Sequence, residues 1–291
     1  MQNTEAGVIK AIINNHGFID SMPMEEYHAR SARSASNLIV QADSNCELSK
    51  YEKDTQVEKI STPLFEGTGI HTSIQAEVEE EIDKEYAIAP DVRKNSKAWT
   101  QWFEEECGDR MPCPETQMKM FKGCREASRS HSESRLFLEN GFMERSGFCE
   151  LMDVQVKARP DIDCAHVPAS KRFPCLVDIK SRRKRQASKA AWTKDFFNYH
   201  TYLQAGLQIL VWRQLGVEVD DYYYILIEKE PPYQVNVVPL GSEWIHESIF
   251  QVNQELNKWK KWLSDGSPKS YGLNQSPMIV EPWMQRKLSS V

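Results

Sequence analysis

No run of apolar residues in this 291-residue chain reaches the roughly 18–20 needed to span a bilayer. The opening MQNTEAGVIKAIINNHGF lacks the charged, then apolar, then small-residue order of a signal peptide. The seven cysteines, Cys46, Cys107, Cys113, Cys124, Cys149, Cys164 and Cys175, are odd in number and form no C-x-x-C pair. A disulfide frame or a zinc knuckle is therefore not expected, and free thiols in a reducing cytosol are. None lies beyond Cys175, so an iron–sulfur cluster clamped by C-terminal cysteines is not expected either. There is no internal repeat and no long Pro- or Gly/Ser-rich linker. The expectation is one soluble cytoplasmic domain over 1–291, mainly helical to about residue 140 and α/β from 141 onward, with no membrane association.

What is present is an uneven charge. The net charge is −6, which does not by itself point to a nucleic-acid partner. Glu77 to Glu85 reads EVEEEIDKE, whereas Lys180 to Lys194 reads KSRRKRQASKAAWTK, seven basic residues with no acid. A basic stretch within an acidic chain can hold phosphates locally while the rest stays soluble. The acidic stretch reads as a solvated outer face.

The periodicity predicts a turn at Ser21-Met22-Pro23, a short helix over Ser36 to Val40 and a helix from Glu66 to Ala76 after a Thr62-Pro63 break. One long helix is expected from Pro114 to Leu138, closing near Asn140-Gly141. Cys149 to Ala158 partly alternates and reads as a strand ended by Pro160. Phe173 to Ile179 reads as a short buried strand and Asp195 to Leu215 as a helix. Tyr222 to Glu228 and Tyr233 to Val238 read as a hairpin across Glu230-Pro231-Pro232. Ser242 to Leu263 reads as an amphipathic helix. That order predicts an α/β (α+β) fold with helices flanking a small mixed sheet.

The chemistry concentrates in Lys157-Ala158-Arg159-Pro160-Asp161 and Leu176-Val177-Asp178-Ile179-Lys180. Side chains alternate along a strand, so Asp178 and Lys180 share a face and Ile179 takes the other. Pairing this strand with the one ahead of Asp161 would bring the two carboxylates together. Converging carboxylates repel, and a divalent cation relieves the repulsion. Oxygen ligands favour Mg²⁺, with Mn²⁺ as a substitute, over zinc. Lys180 would then orient or deprotonate water, or steady negative charge. The alternative is a cluster of paired surface charges. His200, Gln204 and Gln208 fall at i, i+4 and i+8, on one face of the next helix. That stripe faces either the pocket or solvent. A lone histidine such as His71 is ordinarily a hydrogen-bonded structural residue, although Gly67 and Gly69 before it permit close backbone approach.

These residues, in this order, resemble the exodeoxyribonuclease VIII (RecE) family of phage-type recombination exonucleases. They are relatives of lambda exonuclease in the PD-(D/E)-x-K superfamily, and the fold implied is its restriction-endonuclease-like core. The resemblance runs through Tyr27-His28 with Ser34-Ala35-Ser36, Gly67-Thr68-Gly69-Ile70-His71, Glu85-Tyr86-Ala87-Ile88-Ala89-Pro90, Gly141 to Glu144, Lys157 to Asp161, Asp178 to Ser181 and Tyr202-Leu203-Gln204-Ala205, more weakly at Glu281-Pro282-Trp283. It implies a Mg²⁺-dependent, ATP-independent 5′→3′ exonuclease on linear double-stranded DNA that leaves 3′ single-stranded overhangs for recombination. Metal binding, with two ions at the site, would fall to His71, Asp161, Asp178 and the backbone carbonyl of Ile179. Lys180 would be the catalytic lysine, Glu144 an accessory acid and Gln204 a site-lining residue. Arg159, Arg182, Arg183, Lys184, Arg185 and Lys189 would contact DNA. The resemblance further implies a homo-oligomeric ring, a RecT-like single-strand annealing partner, and a phage or prophage origin in a bacterial host cell. Relatives often carry Gln-x-x-x-Tyr on the helix, whereas here Gln204 is followed by Gln208. An endonuclease on the same core, or a silent DNA-binding protein on that scaffold, are the rival readings.

Overall fold

The two most β-prone stretches, CLVDIKSR and DYYYILIE, lie side by side as parallel strands, Asp178 level with Tyr224. The computed structural model of the protein describes residues 16–55, 61–166 and 174–267. The N-terminal part holds β1 (Gly17–Ile19), α1 (Met24–Ala29), α2 (Ala35–Asp43), α3 (Cys46–Asp54), α4 (Thr62–Gln75), α5 (Glu80–Glu85), β2 (Tyr86–Ile88) and α6 (Lys97–Trp102). A π-helical turn (Phe103–Cys107), β3 (Met111–Cys113), α7 (Glu115–Ser130) and α8 (Ser132–Asn140) follow. Then come β4 (Phe142–Met143), β5 (Ser146–Leu151), β6 (Val154–Ala158), β7 (Ile162–Asp163), β8 (Cys175–Arg182), α9 (Lys189–Asn198) and α10 (Thr201–Gln214). The described chain ends through β9 (Asp221–Glu228), β10 (Val235–Pro239) and α11 (Ser242–Ser264).

Five strands form one mixed sheet in the order β10-β9-β8-β7-β4, parallel only between β8 and β9. A separate antiparallel sheet has the order β1-β5-β6. The alternation of β8 sorts two cores. Cys175, Val177 and Ile179 pack with Ile70 and Ile74 of α4 and Phe121 of α7. Leu176, on the opposite face with Asp178 and Lys180, joins Tyr222 and Tyr224 against Leu203 and Leu207 of α10, which in turn rests on Val252 and Leu256 of α11. Burying each such large apolar side chain contributes about 1.5–3 kcal/mol, so α10 is clamped from both sides. The fold is mixed α/β, as the element order predicts. Among the described residues no helix is long and apolar enough to cross a membrane, and all seven cysteines are free and buried.

Several local expectations are corrected. Cys149 to Ala158 is not one strand but part of the β5–β6 hairpin, turned at Met152 and Asp153, both at positive φ (52° and 61°). Without a glycine there, the turn is invisible to pattern. That hairpin belongs to the other sheet; the neighbour of β8 is the two-residue β7. The expected helix from Pro114 to Leu138 breaks at His131, which is extended and caps α8 by accepting from the Ser134 amide. The helix expected at Asp195 starts earlier, at Lys189, with Ser188 accepting from the Ala191 amide. It then breaks at His200, whose φ of 51° is left-handed. Thr62-Pro63 is the first turn of α4 rather than a break, Pro being preorganised for that place. The second hairpin strand begins at Val235 rather than Tyr233. The turn at Ser21 and the helix Ser242–Ser264 are as expected. Phe173 and Glu281-Pro282-Trp283 lie outside the described residues.

Candidate active site

Asp178 and Lys180 sit on the α10 side of β8, and their neighbours arrive from α10, from α4 and from the turn ahead of β7. Asp178 is wholly buried, with 0% of its side chain exposed. The Lys180 ammonium pairs with Asp178 Oδ2 and donates to Gln204 Oε1 at 2.9 Å. The Gln204 Nε2 donates to Asp178 Oδ1 at 3.2 Å. One amide thus spans both charged members of the D-x-K strand, which fixes its own orientation. Asp161, in the turn just ahead of β7, accepts from the Ile179 amide through Oδ2 at 2.5 Å, and its Oδ1 lies 3.3 Å from His71 Nδ1 on α4. Gln75, one turn after His71, donates to Glu144 Oε1 at 3.2 Å. Glu144 Oε2 lies 3.5 Å from Arg159 Nη1.

The electrostatics of this cluster are those of a place prepared for positive charge. Burial, then the Asp161 carboxylate, push the Asp178 carboxyl above its ordinary range, with Lys180 opposing them. Burial would raise Asp161 too, but His71, Lys180 and the Ile179 amide outweigh it and hold it low. Burial works against charge on Lys180 and His71, yet the carboxylates prevail and both are raised. Among the described residues no three carboxylate, imidazole or thiol groups stand ready around one point. The donor chemistry still suits a hard divalent cation: two carboxylates close enough to repel and an imidazole beside one of them, with Asp178 Oδ2 meeting the Lys180 ammonium but accepting no aligned hydrogen bond.

Gln208 answers the solvent-or-pocket question for its stripe. It is buried, and its Nε2 donates to the Arg159 carbonyl at 3.1 Å and lies 3.4 Å from Asp178 Oδ1. The Tyr222 hydroxyl donates to its Oε1 at 2.5 Å. The phenol on β9 thus sets which way the amide points. His200 is outside the stripe: it precedes α10, facing the Tyr202 hydroxyl and, at 3.9 Å, Asp43. Sequence reasoning missed Tyr222 and Gln75. Gln75 had a signal, standing at i+4 from His71; Tyr222 had none. Tyr222→Phe is expected to lower the unfolding free energy by about 1–3 kcal/mol, because it strands a buried amide oxygen. Urea unfolding of Tyr222→Phe, Gln208→Met and the double variant checks this. Additive losses would show that the two side chains do not act together.

The remaining candidates divide between walls and surface. Arg159 is nearly buried, its guanidinium donating to Ser146 Oγ and the Met22 carbonyl, both at 2.8 Å, and lying 4.4 Å from the Tyr27 ring centre. Lys157 donates to the carbonyls of Tyr27, His28 and Arg30; burial pushes its ammonium down to about 8. Both thus hold the Tyr27–Arg30 segment against the site. Arg182 pairs with Asp195 and lies over the Trp192 ring. Arg183, Lys184, Arg185 and Lys189 are exposed. In the acidic stretch, Glu79 and Asp83 clasp Lys122 at 3.0 and 2.9 Å.

Tyr27, His28, Ser34, Ser36 and Arg159 line a cavity of about 240 Å³ that Gln204 and Gln208 close. The segments Tyr27-His28 and Ser34-Ala35-Ser36 therefore meet beside the two glutamines that reach Asp178. A larger cavity of about 920 Å³, walled by Arg33, Lys53, Asp153 and Trp259 among others, contains neither Asp161 nor Asp178. The lining of the smaller cavity does not include them either; it adjoins them through Gln204 and Gln208, whose amides reach Asp178.

No protein-family model and no curated protein matches this sequence. In three dimensions the chain is similar to a crystal structure from Eubacterium rectale described as a "Putative exonuclease". The TM-score is 0.59 at 14% identity, over 89% of this chain and 96% of that one. At that identity the likeness establishes a shared fold.

Proposed function

We propose that this protein is a metal-dependent nuclease that hydrolyses phosphodiester bonds of DNA. The observation that carries the reading is Asp178 and Lys180 held by one Gln204 amide, with Asp161 brought against the same strand by the Ile179 amide. The fold likeness to a protein described as an exonuclease supports it. The finer proposal, drawn from the sequence resemblance, is a 5′→3′ exonuclease on linear duplex DNA. Its 3′ overhangs would suit a RecT-like annealing protein, and its assembly would be a ring of identical chains.

His71, Asp161, Asp178 and the Ile179 carbonyl would hold Mg²⁺ or Mn²⁺, as one ion or two. The cation, when bound, supplies Lewis acidity toward phosphate and a more acidic water. Everything else falls to this chain's own side chains. Lys180, 26% exposed and kept charged by Asp178, offers its ammonium to a phosphate oxygen as negative charge gathers there. Gln204 aims that ammonium. Glu144, steadied by Gln75 and Arg159, would serve as the accessory acid beside the cation.

The test is digestion of a linear duplex labelled separately at each end, with and without Mg²⁺, beside a covalently closed circle. Mg²⁺-dependent loss of the 5′ label first, with the circle spared, is the expected result. Cutting of the circle would make the protein an endonuclease, and no hydrolysis with Mg²⁺ or Mn²⁺ would end the proposal.

A further inference from the structure

The corner between α9 and α10 carries two largely exposed rings, of which Phe197 lies 6.5 Å between centroids from Tyr202. Trp192 and Phe196 of α9 turn inward and pack on Tyr224, whereas Phe197 and Tyr199 stand 58% and 67% exposed. The left-handed His200 (φ 51°) breaks the helix there and holds this corner outside the core.

Its position follows from contacts already given. Gln204 touches Lys180, and Gln208, one turn on, reaches back to Asp178. Helix α10 therefore runs antiparallel to β8, and its N-terminal end lies toward the carboxyl end of β8, where Arg182 begins the basic turn. The link is closed from the other side: Arg182 pairs with Asp195, and the Tyr199 amide donates to the Asp195 carbonyl at 2.9 Å. Residues four apart on a helix have Cβ atoms about 5–6 Å apart, so Tyr199 stands next to the anchored arginine. Arg183, Lys184, Arg185, Lys189 and Lys194 are all exposed along the turn after β8 and on α9. The first acid after them, Asp195, is neutralised by Arg182.

We infer that Phe197 and Tyr199, at the end of this basic stretch, form a stacking platform for unpaired bases at a nucleic-acid end. This deepens the nuclease reading and rests on it for the identity of the site next door. The charge selects a polyanion, and exposed aromatic faces select bases that are not already stacked in a duplex. A folded acidic protein partner would match the cations and leave the two rings without a reason.

The experiment measures fluorescence anisotropy of a labelled oligothymidylate on the full chain in EDTA, where nothing can be cut. A closed, blunt hairpin duplex is the control. Phe197→Ala/Tyr199→Ala is expected to weaken oligothymidylate binding at least about fivefold, given the worth of base–aromatic stacking, with the hairpin nearly unchanged. Tyr199→Phe in the wild-type background should bind as wild type, since the ring and not the hydroxyl carries the contact. Unchanged oligothymidylate binding in the double variant, equal loss for both ligands, or no oligothymidylate binding by the wild type would each overturn the inference. Mg²⁺-dependent hydrolysis is read separately. Hydrolysis without ring-dependent binding removes the platform alone, whereas ring-dependent binding without hydrolysis removes the nuclease and leaves the platform.

Discussion

Asp178→Asn is expected to reduce Mg²⁺-dependent hydrolysis of linear duplex DNA by at least about a thousandfold while leaving the protein folded. Such a loss is about 4 kcal/mol of transition-state stabilisation. The side chain is fully buried, faces Lys180 and accepts from Gln204, so the substitution keeps the shape, removes the charge and turns one acceptor oxygen into a donor. That charge is held against opposition, because burial and Asp161 both disfavour it. Its removal relieves the repulsion but deprives Lys180 of its closest acceptor. These effects oppose one another, and the stability change should stay within about 1 kcal/mol, a few degrees in melting midpoint. Thermal unfolding beside the end-labelled digestion separates the two readouts. Full activity in the folded variant would remove Asp178 from the site. A molten variant would show that its role was structural.

The second large effect lies behind the site. A Cβ on Gly206 would meet the Ser248 carbonyl oxygen at 2.4 Å and its carbon at 2.6 Å. The obstacle is the backbone of α11, which cannot rotate away as a side chain would. Alanine favours a helix interior over glycine by about 1 kcal/mol, so on an open helix Gly206→Ala would stabilise. Here α10 must instead lift from α11, and overpacking of this kind costs about 1–3 kcal/mol. The clash should win. Gln204 and Gln208 flank Gly206 by two residues on either side, so hydrolysis should fall with stability. An unchanged or raised melting midpoint would show that the two helices tolerate separation.

Much of this was legible locally. The D-I-K alternation places Asp178 and Lys180 on one face whatever the rest of the chain does, because a strand has a period of two. The β9–β10 hairpin and the helix Ser242–Ser264 also follow from pattern, since their apolar stripes are long. The β5–β6 turn was not legible: Met152 and Asp153 adopt positive φ without the glycine that usually announces it. The breaks at His131 and His200 were likewise hidden, because each flanking segment keeps helical periodicity and only packing decides that the chain bends.

The site divides along the same line. Strand and helix periods, which depend only on neighbouring residues, determined that Asp178, Lys180 and the pair Gln204 and Gln208 lie on particular faces. The tertiary structure alone decided that β7, rather than the longer strand before it, borders β8. It decided too that α4 delivers His71 to Asp161 and Gln75 to Glu144, and that Tyr222 bonds Gln208. Those contacts join segments up to about a hundred residues apart. Whether they form depends on how whole buried faces fit, a sum of many small packing energies that no local spacing records.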